Sequence, residues 1–531
     1  MSSTRASGTG TIASMVLDTV DRVGDTTAVI DGDTTLSYTE LLGRSRRFAA
    51  ALVASGIEPG DRVAIWAFNS AEWIVAALGI FGVGAVLVPI NTRFKGSEAA
   101  DILLRSGTKA VVTVTDFLGT DYVAMLRDTD VDLPALTTIV VARGGPAAGS
   151  ELWDDFLARG DDAALAEADR RWALVGPDDV SDILFTSGTT GVPKGVVQTH
   201  GRTLRVATDW VEMTGLSRGD RYLMVNPYFH MFGLKAGILA AVCAGATMLP
   251  EAVFDVDRVL ARVAADEVTV LPGPPTLYQG ILDHPERDRH DLTSLRVAVT
   301  GAADIPVELI RRIGDELPFR TIITGYGLTE GGTAVATSPD DDAETIATTV
   351  GRPRPGFELR IVDQDDQDVP SGGPGEILLR GASVMSHYLD DPEATAQAFG
   401  SDGWLRTGDL GIVDPSGCLR IVGRSKDMFI VGGFNAYPAE IENGLLRHPD
   451  IAQAAVIGVP DDRLGEVSMA FVVLRAGASV TGAELIEWSR AQMANYKAPR
   501  FVELVEELPL NATGKVVKEI LRQQAAALRP A

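Results

Sequence analysis

The sequence predicts an α/β protein: a large N-terminal domain of fused parallel-sheet sub-domains plus a β-rich sub-domain, followed by a small α+β C-terminal domain. Three observations lead there. Helical patterns and short apolar strand patterns alternate as far as Gly351, β-like runs with turn residues take over from that point, and a proline-led helix opens a new unit at Pro438. A chain of 531 residues also exceeds one ordinary hydrophobic core, so two or more domains are expected.

The elements follow in order. Ser37-Tyr-Thr-Glu40 is a capping box, and Leu41, Leu42, Phe48 and Leu52 continue it at helical spacing until Gly56. Arg62–Trp66 reads as a strand. The uncharged stretch Trp73–Thr92 is broken by Gly79, Gly82, Gly84 and Pro89, so it predicts a buried helix from Glu72 to about Gly82 and a strand over Ala85–Val88 rather than a membrane span. Further strands are predicted at Ala110–Val114, Leu223–Val225, Val268–Leu271 and Leu295–Val299. Glu358–Val362 and Glu376–Arg380 belong to the antiparallel region. In the last unit Pro438–Glu442 opens a helix, and Ala454–Val459, Val467–Leu474, Gly482–Ala494 and Phe501–Val505 predict strand, strand, helix and strand. The boundary is placed at Gly423–Asp427, giving domains over 1–425 and 426–531.

Composition narrows the function. A net charge of -25 with no basic run argues against nucleic acid and means that an anionic ligand must be met by a few placed cations and backbone N–H groups. Cys243 and Cys418 lack partners at metal-ligand spacing, so neither a disulfide framework nor a zinc site is expected. The N-terminus lacks the apolar stretch of a secretory signal, and a reducing cytoplasm is the expected compartment.

The strongest local signal is Thr186-Ser-Gly-Thr-Thr-Gly-Val-Pro-Lys-Gly195, after the run Asp182–Phe185. Its glycines (Gly188, Gly191) allow close backbone approach. Thr186, Ser187, Thr189 and Thr190 supply hydroxyls and Lys194 a cation, a set suited to a polyphosphate. The order of a Walker A loop is absent. The string resembles the phosphate-binding signature of the adenylate-forming superfamily, which includes acyl-CoA synthetases, peptide-synthetase adenylation domains and luciferases. Gly325-Tyr-Gly-Leu-Thr-Glu330, Trp404-Leu-Arg-Thr-Gly-Asp409, Gly423-Arg-Ser-Lys-Asp427 with Gly432 and Gly433, and Leu508-Pro-Leu-Asn-Ala-Thr-Gly-Lys515 match further motifs in the family's order, so the resemblance covers about residues 35 to 520.

The resemblance implies ATP, Mg2+ and CoA as ligands and a two-step reaction through an acyl-adenylate. By it, Tyr326 and Gly327 contact adenine together with Gly301, Ala302 and Ala303, Thr329 meets phosphate, and Glu330 holds magnesium. Asp409 and Arg424 bind the ribose hydroxyls, Lys515 bridges the acyl carboxylate and α-phosphate, and Lys426 is the hinge of a mobile C-terminal domain. Gly432, Gly433 and Phe434 belong to the CoA channel, and His230 gates the passage between acyl pocket and channel. A homodimer is a family expectation.

By the resemblance, Phe229–Leu234 with Thr324 and Gly325 lies where the family builds its acyl pocket; only His230 among these can carry charge and Thr324 and Gly325 are small, so an apolar body of medium size or cyclic shape is expected. The texture of Ile90–Arg93 and Asn226–His230 resembles actinobacterial synthetases of lipid and sterol catabolism, which implies a sterol-derived bicyclic indane-propanoate. A medium- or long-chain fatty acid is the alternative. A second alternative, an amino-acid or acyl adenylating enzyme that loads a carrier protein, is disfavoured because no Asp occurs in Asn226–Lys235 to grip an ammonium group.

Overall fold

The computed structural model describes residues 10–186, 193–301, 305, 307–400, 402–424, 427–431, 434–461, 463–511 and 515–528, with backbone alone at 434 and 435. Two large, mainly parallel sheets dominate. The first has eight strands, ordered His387–Tyr388, Lys194–Thr199, Val180–Thr186, Val86–Pro89, Arg62–Trp66, Ala110–Val114, Thr138–Arg143 and Glu151–Leu152. The second has nine, ordered Arg352–Pro353, Gly332–Ala336, Thr321–Leu328, Val297–Gly301, Val270–Gly273, Arg221–Met224, Thr247–Pro250, Thr27–Asp31 and Thr34–Ser37.

The two sheets share one apolar core, filled by side chains from helices Ile12–Val23, Tyr38–Ala54 and Ala71–Gly82 and from the helical stretch 232–244. The capping box works as predicted: Ser37 Oγ accepts from Glu40 N–H, while the Glu40 carboxylate accepts from Ser37 N–H at 2.8 Å. Helix Ala71–Gly82 is buried along nearly its whole length, capped by Ser70 Oγ, which accepts from Trp73 N–H at 3.2 Å. A Cβ at Gly82 would lie 2.0 Å from the Trp172 ring, so glycine is required there for packing. Gly84, at φ 71°, then turns the chain into Val86–Pro89. Among the described residues no helix is long and apolar enough to cross a membrane.

An antiparallel four-stranded sheet follows, Phe357–Val362, Pro374–Gly381, Leu405–Val413 and Leu419–Arg424 in that order. Antiparallel pairing begins earlier than the sequence suggests: Thr27–Asp31 pairs with Thr34–Ser37, Val180–Thr186 with Lys194–Thr199, and Thr321–Leu328 turns back on Gly332–Ala336. The last sheet lies wholly within 429–504, with Ile451–Asp461 and Gly465–Leu474 as its long antiparallel pair and Phe501–Leu504 added in parallel. Its core is its own, built from Phe429, Ile441, Val456, Phe471, Leu485 and Leu521 among others. Glu442 pins two of its elements: its Oε1 accepts from Val456 N–H at 2.7 Å and pairs with Lys518 Nζ at 2.8 Å.

Candidate active site

Strands Val297–Gly301 and Thr321–Leu328 run parallel, with Gly301 beside Gly325. A Cβ on Gly301 would sit 3.0 Å from Gly325 O, so this end of the sheet is bare backbone. Gly327 is more constrained still, since a Cβ there would fall 2.4 Å from Gly332 O. That tight return places Thr329, nearly buried, and Glu330, half-buried, at the strand ends. Ala302 and Ala303 lie outside the described residues.

Tyr326 packs its ring among Ile361, Ile377, Leu379 and Leu419 and donates its hydroxyl proton to Asp409 Oδ2 at 2.7 Å. Burial, reinforced by the Asp409 charge, pushes the phenol well above its ordinary pKa, so it remains a donor. Asp409 faces Arg424 across the antiparallel ladder, and Arg424 Nε lies 3.2 Å from Asp409 Oδ1. One buried carboxylate is thus held from two sides.

A second cluster forms where the sheets meet. Thr186 ends its strand opposite Lys194, and Lys194 Nζ stands 5.1 Å from the centre of the Tyr388 ring. Tyr388 donates its hydroxyl to Glu330 Oε1 at 2.9 Å, and Met385 N–H donates to Glu330 O at 2.6 Å. Tyr388 is itself fixed by pairing with Val196 at the sheet edge. Nothing in its sequence neighbourhood singles it out; the ladder between His387–Tyr388 and Lys194–Thr199 creates its role. Ser187, Gly188, Thr189, Thr190 and Gly191 lie outside the described residues.

His230 lies at the third point. Its Nδ1 accepts from Phe232 N–H at 3.2 Å, which leaves the ring proton on Nε2. Although the ring keeps some exposure, desolvation, aided by the positive charge of Lys515, pulls its pKa down to about 4. Lys515 is tied to Asn511: its N–H donates to Asn511 Oδ1 at 2.9 Å and its carbonyl accepts from Asn511 N–H at 2.8 Å. Lys426, Gly432 and Gly433 lie outside the described residues, and Phe434 is described only as backbone paired with Val431.

Thr324 is buried, and its hydroxyl lies 3.1 Å from Thr349 O and 3.3 Å from Ile346 O at the end of the neighbouring helix. Among the described residues no three or more His, Cys, Asp or Glu groups gather as a metal cluster.

Comparison with known proteins places this geometry. Residues 17–389 match the model of the AMP-binding enzyme family, and residues 440–515 match that of the AMP-binding enzyme C-terminal domain. The chain is 50% identical over 505 residues to a ligase of Rhodococcus jostii named for joining CoA to a methyl-dioxo-octahydroindenyl propanoyl group, covering 94% of this chain and 96% of the relative. A ligase of the same name from Mycobacterium tuberculosis is also 50% identical over 505 residues, covering 95% and 97%. In structure the chain is similar to the anthranilate CoA ligase AuaEII in complex with anthranoyl-AMP, with a TM-score of 0.91, 28% identity and 99% of each chain covered.

Proposed function

We propose an acid and a division of labour for this chain, which belongs to the AMP-binding enzyme family and is an AMP-forming acyl-CoA synthetase. The acid is a methyl-dioxo-octahydroindenyl propanoate. The observation that carries this choice is the 50% identity, across nearly the whole of both chains, to two ligases named for that acyl group.

In this reading ATP lies along the strand ends. Its ribose hydroxyls donate to Asp409, whose orientation Tyr326 and Arg424 set, and its adenine rests on the bare backbone at Gly301, Gly325 and Gly327 with Ala302 and Ala303 beyond. The phosphates lie against the loop from Thr186 to Lys194. Glu330 fits a magnesium ion, because Tyr388 engages its Oε1 and leaves Oε2 as a hard oxygen ligand. When bound, the ion neutralises phosphate charge.

Attack of a carboxylate on the α-phosphate brings two anions together, so fixed positive charge lowers the barrier. Lys515 supplies it. Neutral His230 adds no charge and offers an Nε2–H beside the acid, consistent with its depressed pKa. The mixed anhydride then needs a placed thiol and exclusion of water. For that step we assign residues 426–531 a rotation about Lys426 that withdraws Lys515 and brings Gly432, Gly433 and Phe434 to the CoA channel.

The test is Lys515→Ala, assayed on each half-reaction. Acid-dependent pyrophosphate exchange should be abolished, while thioester formation from preformed acyl-AMP and CoA should survive. Comparable loss of both steps in a folded protein would remove the assignment.

A further inference from the structure

A buried ion pair connects the two sides of this site. Asp182, 0% exposed, lies in the strand that ends at Thr186, and Lys235, 1% exposed, lies in the helical segment Phe232–Leu239 that follows His230. Lys235 Nζ stands 2.8 Å from Asp182 Oδ1 and donates to Thr203 Oγ1 at 3.0 Å. The Thr203 hydroxyl donates onward to Asp182 Oδ2 at 2.7 Å, and Ser181 Oγ donates to the same oxygen at 2.6 Å. Burial pulls the lysine pKa below its ordinary value, and the charge of Asp182 opposes that pull.

Stability alone does not call for such a pair, because well-packed apolar side chains of similar volume commonly serve a core as well. Its position suggests another use. Asp182 belongs to the eight-stranded sheet and leads into the phosphate loop; Lys235 follows the strand Arg221–Met224 of the nine-stranded sheet. Thr203 belongs to helix His200–Thr214, whose Trp210 meets the Phe232 ring edge-on at 5.2 Å. Phe232–Leu239 is a π-helix, a rare helix type that is frequently found at functional sites. Lys235 is its anchor to the other sheet. At its start the segment passes so close to Pro227 that a Cβ on Gly233 would come 2.1 Å from Pro227 O, so glycine is required there.

We propose that the Asp182–Lys235 pair, closed by Thr203 and Ser181, is a positioning device for adenylation that fixes the His230–Phe232 side, where the acid lies, against the Thr186 strand, where the phosphates lie. The inference rests on the adenylation reading above. A displacement of the acid by about 1 Å relative to the α-phosphate would cost on the order of a hundredfold in the first step. The second step, which needs only a bound adenylate and a thiol, should be little affected.

The experiment uses the full-length enzyme and three variants: Lys235→Met, Asp182→Asn combined with Lys235→Met, and Thr203→Val. Thermal midpoint, pyrophosphate-exchange kcat with ATP and acid KM, and thioester formation from preformed acyl-AMP are measured for each. Lys235→Met leaves a buried carboxylate unpaired and should lower the midpoint. The double variant should regain most of the midpoint yet keep an exchange kcat down by about tenfold or more, with the thioester step within about threefold of wild type. Thr203→Val keeps both charges and should lower exchange kcat by about fivefold while sparing ATP KM. A double variant that regains kcat together with its midpoint, a Thr203→Val enzyme of wild-type kcat, or equal loss in both half-reactions overturns the proposal. Absence of acid-dependent exchange in the wild type would instead overturn the reading on which it rests.

Discussion

Tyr326→Phe isolates one hydrogen bond at the nucleotide side of the site. The ring stays in its apolar cluster, and only the donation to Asp409 Oδ2 at 2.7 Å is lost. A hydrogen bond to a charged acceptor contributes about 1.5–3 kcal/mol net. Asp409 is only 8% exposed, which favours the upper part of that range, but Arg424 still pairs with its other oxygen. The Arg424 side chain is 50% exposed and its pull is screened by water, so it holds the carboxylate weakly by itself. A cost of about 2–3 kcal/mol follows, and with most of it falling on orientation of the carboxylate toward ribose, KM for ATP rises roughly 30- to 150-fold. Pyrophosphate exchange at varied ATP, with a thermal melt as a control for folding, measures it. A folded variant with unchanged KM for ATP, or one in which kcat falls while KM holds, would refute the role given to Asp409.

Other outcomes follow from the same geometry. Lys515→Ala should raise the pKa of His230, read by NMR of its ring protons, but not restore it to 6.5, because desolvation is the larger cause. Lys426→Pro should spare pyrophosphate exchange and block thioester formation, since proline fixes φ at the proposed pivot; equal impairment of both would contradict it. His200, fully buried and with neither ring nitrogen hydrogen-bonded among the described residues, is held down to about 4 by burial, against the opposing charges of Asp182 and Asp179. Its folded pKa lies below its unfolded value, so the unfolded chain binds more protons between pH 4 and 6.5. Stability is therefore full above the unfolded pKa and falls by on the order of 3 kcal/mol as pH drops through that window. Urea melts at pH 5 and 7 should show the loss, and His200→Leu should flatten it; a wild type with equal stability at both would count against a neutral buried His200.

Much of this molecule is readable before its structure. The capping box at Ser37, the buried helix ended by Gly82 and the Gly84 turn follow from local chemistry, and the helix bounds Ala71–Gly82 agree closely. Strand ends are less legible: Val270–Gly273 and Val297–Gly301 each lie two residues beyond the expected runs. Register there is set by neighbouring strands, such as Gly301 beside Gly325, and local hydrophobicity does not see it. Motif residues came to light by resemblance, but their partners did not. Tyr388 and the Asp182–Lys235 pair gain their meaning only when strands distant in sequence meet, although a carboxylate inside an apolar strand and a lysine inside an apolar helical stretch were visible signals.

The most direct test of the central claim is competition among acids for the purified enzyme, with ATP, Mg2+ and CoA supplied and the thioester identified by mass spectrometry. Each buried methylene adds roughly 0.8 kcal/mol, so a matched bicyclic body should exceed a short straight chain by orders of magnitude in kcat/KM. Methyl-dioxo-octahydroindenyl propanoate should give the highest kcat/KM, with AMP formed in equal amount to its CoA thioester. A higher kcat/KM for octanoate or palmitate would contradict the choice of acid and leave a general fatty acyl-CoA synthetase in its place.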